Sequence, residues 1–371
     1  MIYLNNRAKL LLVLLTIWIF YQFCIYAEGS FFFSKYGDDG RFTRAAVDGQ
    51  STYFDLFPNV ILTKLFYYAT SSVEASLLLL RVIELSFIWL YLKIIIAKIN
   101  PNKILLFLFV LSSSDLFFVS TYSMRDSFLI LLILLFYFSS GLQKFGILGF
   151  MIVIRPVSLV FLSLGKTKVI FICAGAFLLF AFAFDIFDDL IKIVITPTAY
   201  LSGQNYDISN VIEYRQNLSS SNNGVLLNDD NSFSLFLKPI AYFTRPLIFN
   251  DITREVISHN GFTGREYLSN GFNTDLLFQN IAVGSNLIYM PLLILSLAKA
   301  TIKKNKIAFL YLSFSALFAF SSGQARHQLM FNFLELLLIS QFLEHYKVEW
   351  VLFSTVFFIL TIVIINFLIV I

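Results

Sequence analysis

Runs of about 18 or more apolar residues recur along this chain, and each is the signature of a helix that crosses a bilayer. In hydrocarbon every backbone N–H and C=O must be satisfied internally, so such a chain is expected to fold as an all-α, polytopic integral membrane protein. The composition agrees, with 58% of the 371 residues hydrophobic, 13% charged and 44 Phe. About nine full spans are expected, at 10–27, 75–97, 104–120, 126–142, 168–186, 276–298, 306–322, 327–343 and 349–370. The first follows Arg7 and Lys9 as a signal peptide would, but it ends in IYAEG without a small-x-small cleavage site and is read as a span. Cys24 and Cys173 stand far apart inside apolar runs, so neither a disulfide framework nor a zinc site is indicated.

Lysine sets the orientation. With the N terminus cytoplasmic, lysines 9, 93, 98, 103, 144, 166, 168, 299, 303, 304, 306 and 347 all fall on the cytoplasmic side, twelve of the sixteen in the chain. That requires residues 146–164 to enter and leave on one side, because Lys144 and Lys166 flank them. Arg155-Pro156 sits at the centre of this stretch, where proline breaks a helix, and about nine residues on each arm reach roughly the bilayer midplane. The stretch therefore reads as a re-entrant hairpin over a cavity, the other reading being a full span kinked at Pro156. Two outer segments, 28–74 and 187–275, decorate a single membrane-embedded domain covering 1–371. The first holds FDLFPNVILTKLFYYA, which suits a helix lying along the membrane surface.

Arginine is distributed the opposite way. Arg7 alone is cytoplasmic, Arg81 and Arg155 lie within the membrane, and Arg41, Arg44, Arg125, Arg215, Arg245, Arg254, Arg265 and Arg326 are outside. The positive-inside rule treats the two residues alike, so the asymmetry needs a chemical reason. Guanidinium grips phosphate and carboxylate with a rigid fork of donors, whereas lysine is a point charge on a flexible stem. An arginine-rich outer face suits an anionic ligand, of which a lipid-linked diphosphate is the obvious kind at a membrane. Outer arginines also pair with nearby acids such as Asp38, Asp39, Asp251 and Glu255, which is the structural reading for any single loop arginine. Arg125, Arg155 and Arg326 differ, because each stands at or inside a span boundary, where charge is costly and usually functional.

Other polar groups fall in apolar surroundings. Arg81 and Glu84, three apart, can pair on one helix face. Asp115 and Glu335 can each partner an arginine or line the cavity. Asp126, where a helix begins, can complement that helix's dipole. His327 beside Arg326 can act as acid or base or simply sit at the interface, and His259 reads as a loop residue. Asp38 and Asp39 lie between Gly37 and Gly40, which let the backbone turn and present a carboxylate; a plain surface turn explains the same four residues. A glycosyl transfer needs a base for the acceptor hydroxyl and positive charge for the leaving phosphate.

The order of short motifs, GDDGRF, SMRDSF, MIVIRPVSL, YFTRPLIF and GQARHQLMF, resembles that of Wzy-type polysaccharide repeat-unit polymerases and the related GT-C type membrane glycosyltransferases. The resemblance implies a GT-C-like protein of the bacterial inner membrane with a periplasmic active site, acting in O-antigen or capsular polysaccharide biosynthesis. It implies polymerisation of undecaprenyl-diphosphate-linked oligosaccharide units, membrane lipid as surroundings and a chain-length regulator as partner. Arg125, Arg155, Arg245 and Arg326 are the diphosphate or sugar contacts it implies, with Arg41 and Arg215 as further substrate-binding candidates, and Asp38 or Asp39 as the acid; His327 is the remaining catalytic candidate. No P-loop or GxGxxG is present, and no cofactor, metal or nucleic-acid partner is expected. Two alternatives stay open: a GT-C enzyme adding one sugar from a polyprenyl monophosphate, and a flippase for lipid-linked sugar.

Overall fold

The computed structural model describes residues 6–28, 46–47, 58–121, 126–154, 158, 161, 164, 253, 257–259, 266–268, 273–321, 325–344, 356 and 359–360. These residues are almost entirely helical. Two helices, Leu11–Glu28 within α1 (Asn6–Glu28) and Thr274–Ile302, are long and apolar enough to cross a membrane. The expected spans at 168–186 and, for the most part, 349–370 lie outside the described residues.

In the first expected outer segment, 28–74, α2 (Pro58–Thr70) begins at proline, whose fixed φ and missing N–H suit a first helical position. It packs along α3 (Val73–Lys98), leaving Ile61, Leu65 and Tyr68 exposed, as a helix lying against lipid would. Ser71 turns the chain between them at φ 52°, and Ser72 caps α3 by accepting from the Ala75 amide at 3.3 Å. Asn100 at φ 51° and the cap Asn102 make the next reversal, into α4 (Lys103–Ser112).

The expected span 104–120 is not one helix. Ser112, Ser113 and Ser114 interrupt it, and a short α5 (Asp115–Val119) follows. Serine side chains compete with the helix for its own carbonyls, as Ser112 does by bonding Phe109 O at 2.9 Å. The expected span 126–142 is α6 (Asp126–Phe138), ended by Ser139-Ser140 and by Gly141 at φ 61°. Beyond it α7 (Leu142–Ile154) forms the first arm of the expected hairpin, whose Arg155-Pro156 tip lies outside the described residues.

Residues 187–275, the second expected outer segment, include a feature that the all-helical expectation lacked. Strand β1 (Ile257–His259) pairs antiparallel with β2 (Glu266–Leu268), Ile257 opposite Leu268, so His259 lies in a ladder opposite Glu266 and not in a loop. The chain returns through α8 (Thr274–Ile302), capped by Asn273 accepting from Leu276 N at 3.1 Å and carrying Pro291 inside it. Lys304 at φ 52° ends α8 in a Schellman-type turn, with Asn305 N bonding Ala300 O at 2.8 Å and Lys304 N bonding Thr301 O at 2.9 Å. Next come α9 (Lys306–Ser321), a 3₁₀ helix (Ala325–Met330) and α10 (Phe333–Leu343). The expected span 327–343 is thus also interrupted, at Phe331-Asn332.

The core gathers on α8, against which α1, α4, α9 and α10 pack. Phe278 of α8 meets Tyr21 of α1 edge-on at 4.6 Å and Phe117 of α5 at 5.3 Å. Lipid tails are as apolar as these rings, so in a membrane it is close packing that holds such helices together. Each edge-on aromatic pair adds about 0.5–1.5 kcal/mol beyond its burial.

Candidate functional site

Buried charged and polar side chains join different helices in three places; Lys144 stands apart from these, buried on α7 with its Nζ 5.1 Å from the Phe136 ring centroid. The first is the turn that ends α5. Trp18 Nε1 donates to Ser120 Oγ at 2.8 Å, the Gln22 amide donates to Thr121 Oγ1, and Arg81 Nε donates to the Thr121 carbonyl at 2.9 Å. Two of these donors come from α1 and one from α3. Arg81 and Glu84, expected as a pair on one face, are both buried on α3, and α3 packs against α6. Arg81 therefore also ties its helix to a turn forty residues away. Asp126 heads α6 and is buried, as placed to complement that helix's dipole.

The second place is where the two helix interruptions meet. Asn332 Nδ2 lies 3.5 Å from Ser113 Oγ, so the gap between the 3₁₀ helix and α10 faces the gap between α4 and α5. Just beyond, the fully buried Glu335 accepts from Tyr289 of α8 at 3.1 Å and from Tyr311 of α9 at 2.7 Å. Carboxylates are costly in such surroundings unless hydrogen bonded, and two phenols from different helices supply donors to both oxygens. Of the sequence alternatives for Glu335, an arginine partner or a cavity wall, neither anticipated these tyrosines. Asp115 occupies the first turn of α5 and is half-buried.

The third place is the start of α8. Glu28, the last residue of α1, is fully buried and accepts from Thr274 N at 3.0 Å, while Tyr21 donates to Asp275 Oδ1. A carboxylate there satisfies an unpaired amide of the first turn and complements the helix dipole. The only signal for it in the sequence was an acid closing an apolar run.

Asp38, Asp39, Arg41, Arg125, Arg155, Arg215 and Arg245 lie outside the described residues. Arg326 and His327 stand on the 3₁₀ helix, which packs against both α5 and α6, the helices on either side of residues 120–125. Among the described residues no three His, Cys, Asp or Glu side chains are grouped to hold a metal ion. A small apolar pocket lies between α1, α3, α4 and α5, lined by Leu14, Trp18, Leu85, Trp89, Leu92 and Phe117 among others, with Ser120 at its edge.

Compared with protein-family models, curated proteins and solved structures, the chain matches none. What the fold and site define is a class: a helical protein with two helices long and apolar enough to cross a membrane and with charged side chains buried among its helices.

Proposed function

We propose that the protein is a Wzy-type glycosyltransferase of the bacterial inner membrane that polymerises undecaprenyl-diphosphate-linked oligosaccharide units at the periplasmic face. One observation supports this reading above the rest. The 3₁₀ helix in the GQARHQLMF motif packs against α5 and α6, of which α5 precedes the SMRDSF motif in the chain and α6 begins within it. Guanidinium groups carried by these motifs are the chemistry that grips an anionic carrier. In the reaction, Asp38 or Asp39 takes the proton from the acceptor hydroxyl. The acceptor oxygen bonds the anomeric carbon, the bond from that carbon to the diphosphate oxygen breaks, and undecaprenyl diphosphate leaves with the electron pair. Arg155 and Arg326 neutralise that leaving group, and Arg125 orients it.

The reading is tested by the length distribution of surface polysaccharide in cells lacking the protein, complemented with wild type or with Arg326→Ala at equal membrane abundance. A ladder that collapses to one repeat in the deletion, and stays collapsed with Arg326→Ala, is expected. An unchanged ladder in the deletion sinks the reading.

The flippase reading keeps one supporting observation: facing helix interruptions are also how transporters build substrate and ion sites near the bilayer midplane. A flippase defect would leave lipid-linked units on the cytoplasmic face, whereas a polymerase defect leaves single units outside.

A further inference from the structure

The small apolar pocket has a floor and a rim. Val110 and Phe117 are buried at its floor, whereas Leu15 and Trp18 of α1 and Leu85 and Trp89 of α3 are half-buried at its mouth. Since α1 packs on α4 and α8 while α3 packs on α2 and α6, the two walls of the mouth have different packing partners. Trp18 stands ten residues before the end of α1, about 15 Å along its axis, which is half the thickness of a bilayer's hydrocarbon core. The surface outside the mouth is apolar as well, with Leu12 and Ile19 of α1 and Val82 and Leu90 of α3 exposed. Exposed hydroxyls beside the two rim leucines turn back on their own helices, Thr16 donating to Leu12 O at 3.0 Å and Ser86 to Val82 O at 2.8 Å. A hydroxyl that faces hydrocarbon must be satisfied within its own helix in this way.

Inside, the lining offers little to a polar ligand. Ser120 Oγ accepts from Trp18 Nε1 at 2.8 Å and donates to Phe117 O at 2.9 Å, which leaves the Trp89 indole N–H as the other polar side-chain tip on the wall. Tryptophan in spans is ordinarily an interfacial residue, so two of the three in the chain at one mid-depth cleft call for a reason. Large, rigid, mostly apolar rings supply one as walls for a hydrocarbon chain. The bland account is a packing defect that nothing fills. A void forfeits dispersion contacts along its lining, however, and a cleft beside bilayer hydrocarbon has acyl chains as its solvent, present in vast excess over any solute. We propose that this cleft binds one acyl chain of a bilayer phospholipid, inserted between α1 and α3 as part of the packed core. Its small size suits a single chain, and its depth excludes a headgroup. The site is independent of the polymerase reading and requires only that the protein span a membrane.

The test uses the full-length protein with Trp350→Phe, so that Trp18 and Trp89 are the remaining tryptophans, in vesicles of phosphatidylcholine brominated on its acyl chains. Bromine quenches indole fluorescence on contact. After dilution into a large excess of unbrominated lipid, the lipids surrounding the protein exchange at once, and a slowly lost fraction of the quenching is expected to remain from the inserted chain. Leu85→Phe at the rim and Val110→Phe at the floor fill the cleft and are expected to abolish that fraction. Leu85 is half-buried, so its variant reports even where Val110→Phe fails to fold. Leu79→Phe, on the exposed face of α3, should leave the slow fraction intact. Quenching relieved entirely on dilution overturns the proposal, and so does a slow fraction that both filled variants retain. Displacement of the slow fraction by a trace of polyprenyl phosphate, but not by the same amount of phosphatidylglycerol, assigns the cleft to an isoprenoid chain and overturns the acyl assignment. A protein that fails to float with the vesicles overturns the membrane reading and this site together, a result distinct from quenching that lacks a slow fraction.

Discussion

Tyr311 donates its phenol hydrogen to Glu335 at 2.7 Å, joining α9 to α10 one turn beyond the point where the 3₁₀ helix gives way to α10. Tyr289 of α8 completes the arrangement from the other side at 3.1 Å. Three helices are thus tied through one buried carboxylate.

Removing one phenol tests that tie. Tyr311→Phe deletes the shorter bond without opening a cavity and is expected to lower stability by about 1–2 kcal/mol, since bonds to charged groups exceed the small average seen between membrane helices. Combined with Glu335→Gln in a double-mutant cycle, the two changes should be clearly non-additive in thermal unfolding in detergent. Strict additivity would mean that the two side chains are energetically independent.

Glu28 acts on the first turn of α8. Glu28→Ala leaves the Thr274 amide without its side-chain acceptor and is expected to cost about 1 kcal/mol, as loss of a helix cap does. Hydrogen exchange at Thr274 should quicken while exchange in the middle of α8 stays slow. Uniform acceleration along α8 would argue against a local cap.

Lys304 holds a left-handed conformation that its Cβ disfavours. Glycine relieves that strain but loosens the unfolded chain, so the two effects oppose each other and Lys304→Gly should stabilise by about 0.5 kcal/mol net. Lys304→Val should destabilise, since a β-branched residue tolerates positive φ least. The melting temperatures of the pair decide the sign.

Arg155 carries the strongest functional expectation from the sequence. Under the proposed polymerase function, Arg155→Ala at equal abundance in a deletion background is expected to leave surface polysaccharide as single repeats. Arg155→Lys should restore little of the ladder, because lysine cannot supply the bidentate fork. Full restoration by lysine would show that only charge is needed there.

Helix positions were largely legible before the structure. The runs 10–27, 75–97, 276–298 and 306–322 fall on Asn6–Glu28, Val73–Lys98, Thr274–Ile302 and Lys306–Ser321, differing by a few residues at their ends. Hydropathy averaged over a window finds long helices because each extends the backbone bonding its neighbours need. The same averaging hides interruptions. SSSD inside 104–120 and MFN inside 327–343 are too short to lower the mean, although side-chain competition at Ser112–Ser114 was a local signal that could have been weighed.

Of the candidate residues, Arg326 and His327 are placed on a 3₁₀ helix, and the others lie outside the described residues. The sequence by itself determined the helical class, the extents of the longest helices and the presence of charge within apolar runs, because each depends on nearest neighbours and on the solvent around them. Tertiary structure alone decided which groups of distant segments those charges meet: Thr121, forty residues from Arg81 in the chain, receives its Nε hydrogen bond. Glu335 found its donors on two other helices, at Tyr289 and Tyr311. A buried charge must be satisfied by whatever donor or acceptor packing brings within about 3 Å, and no local pattern encodes which helix that will be.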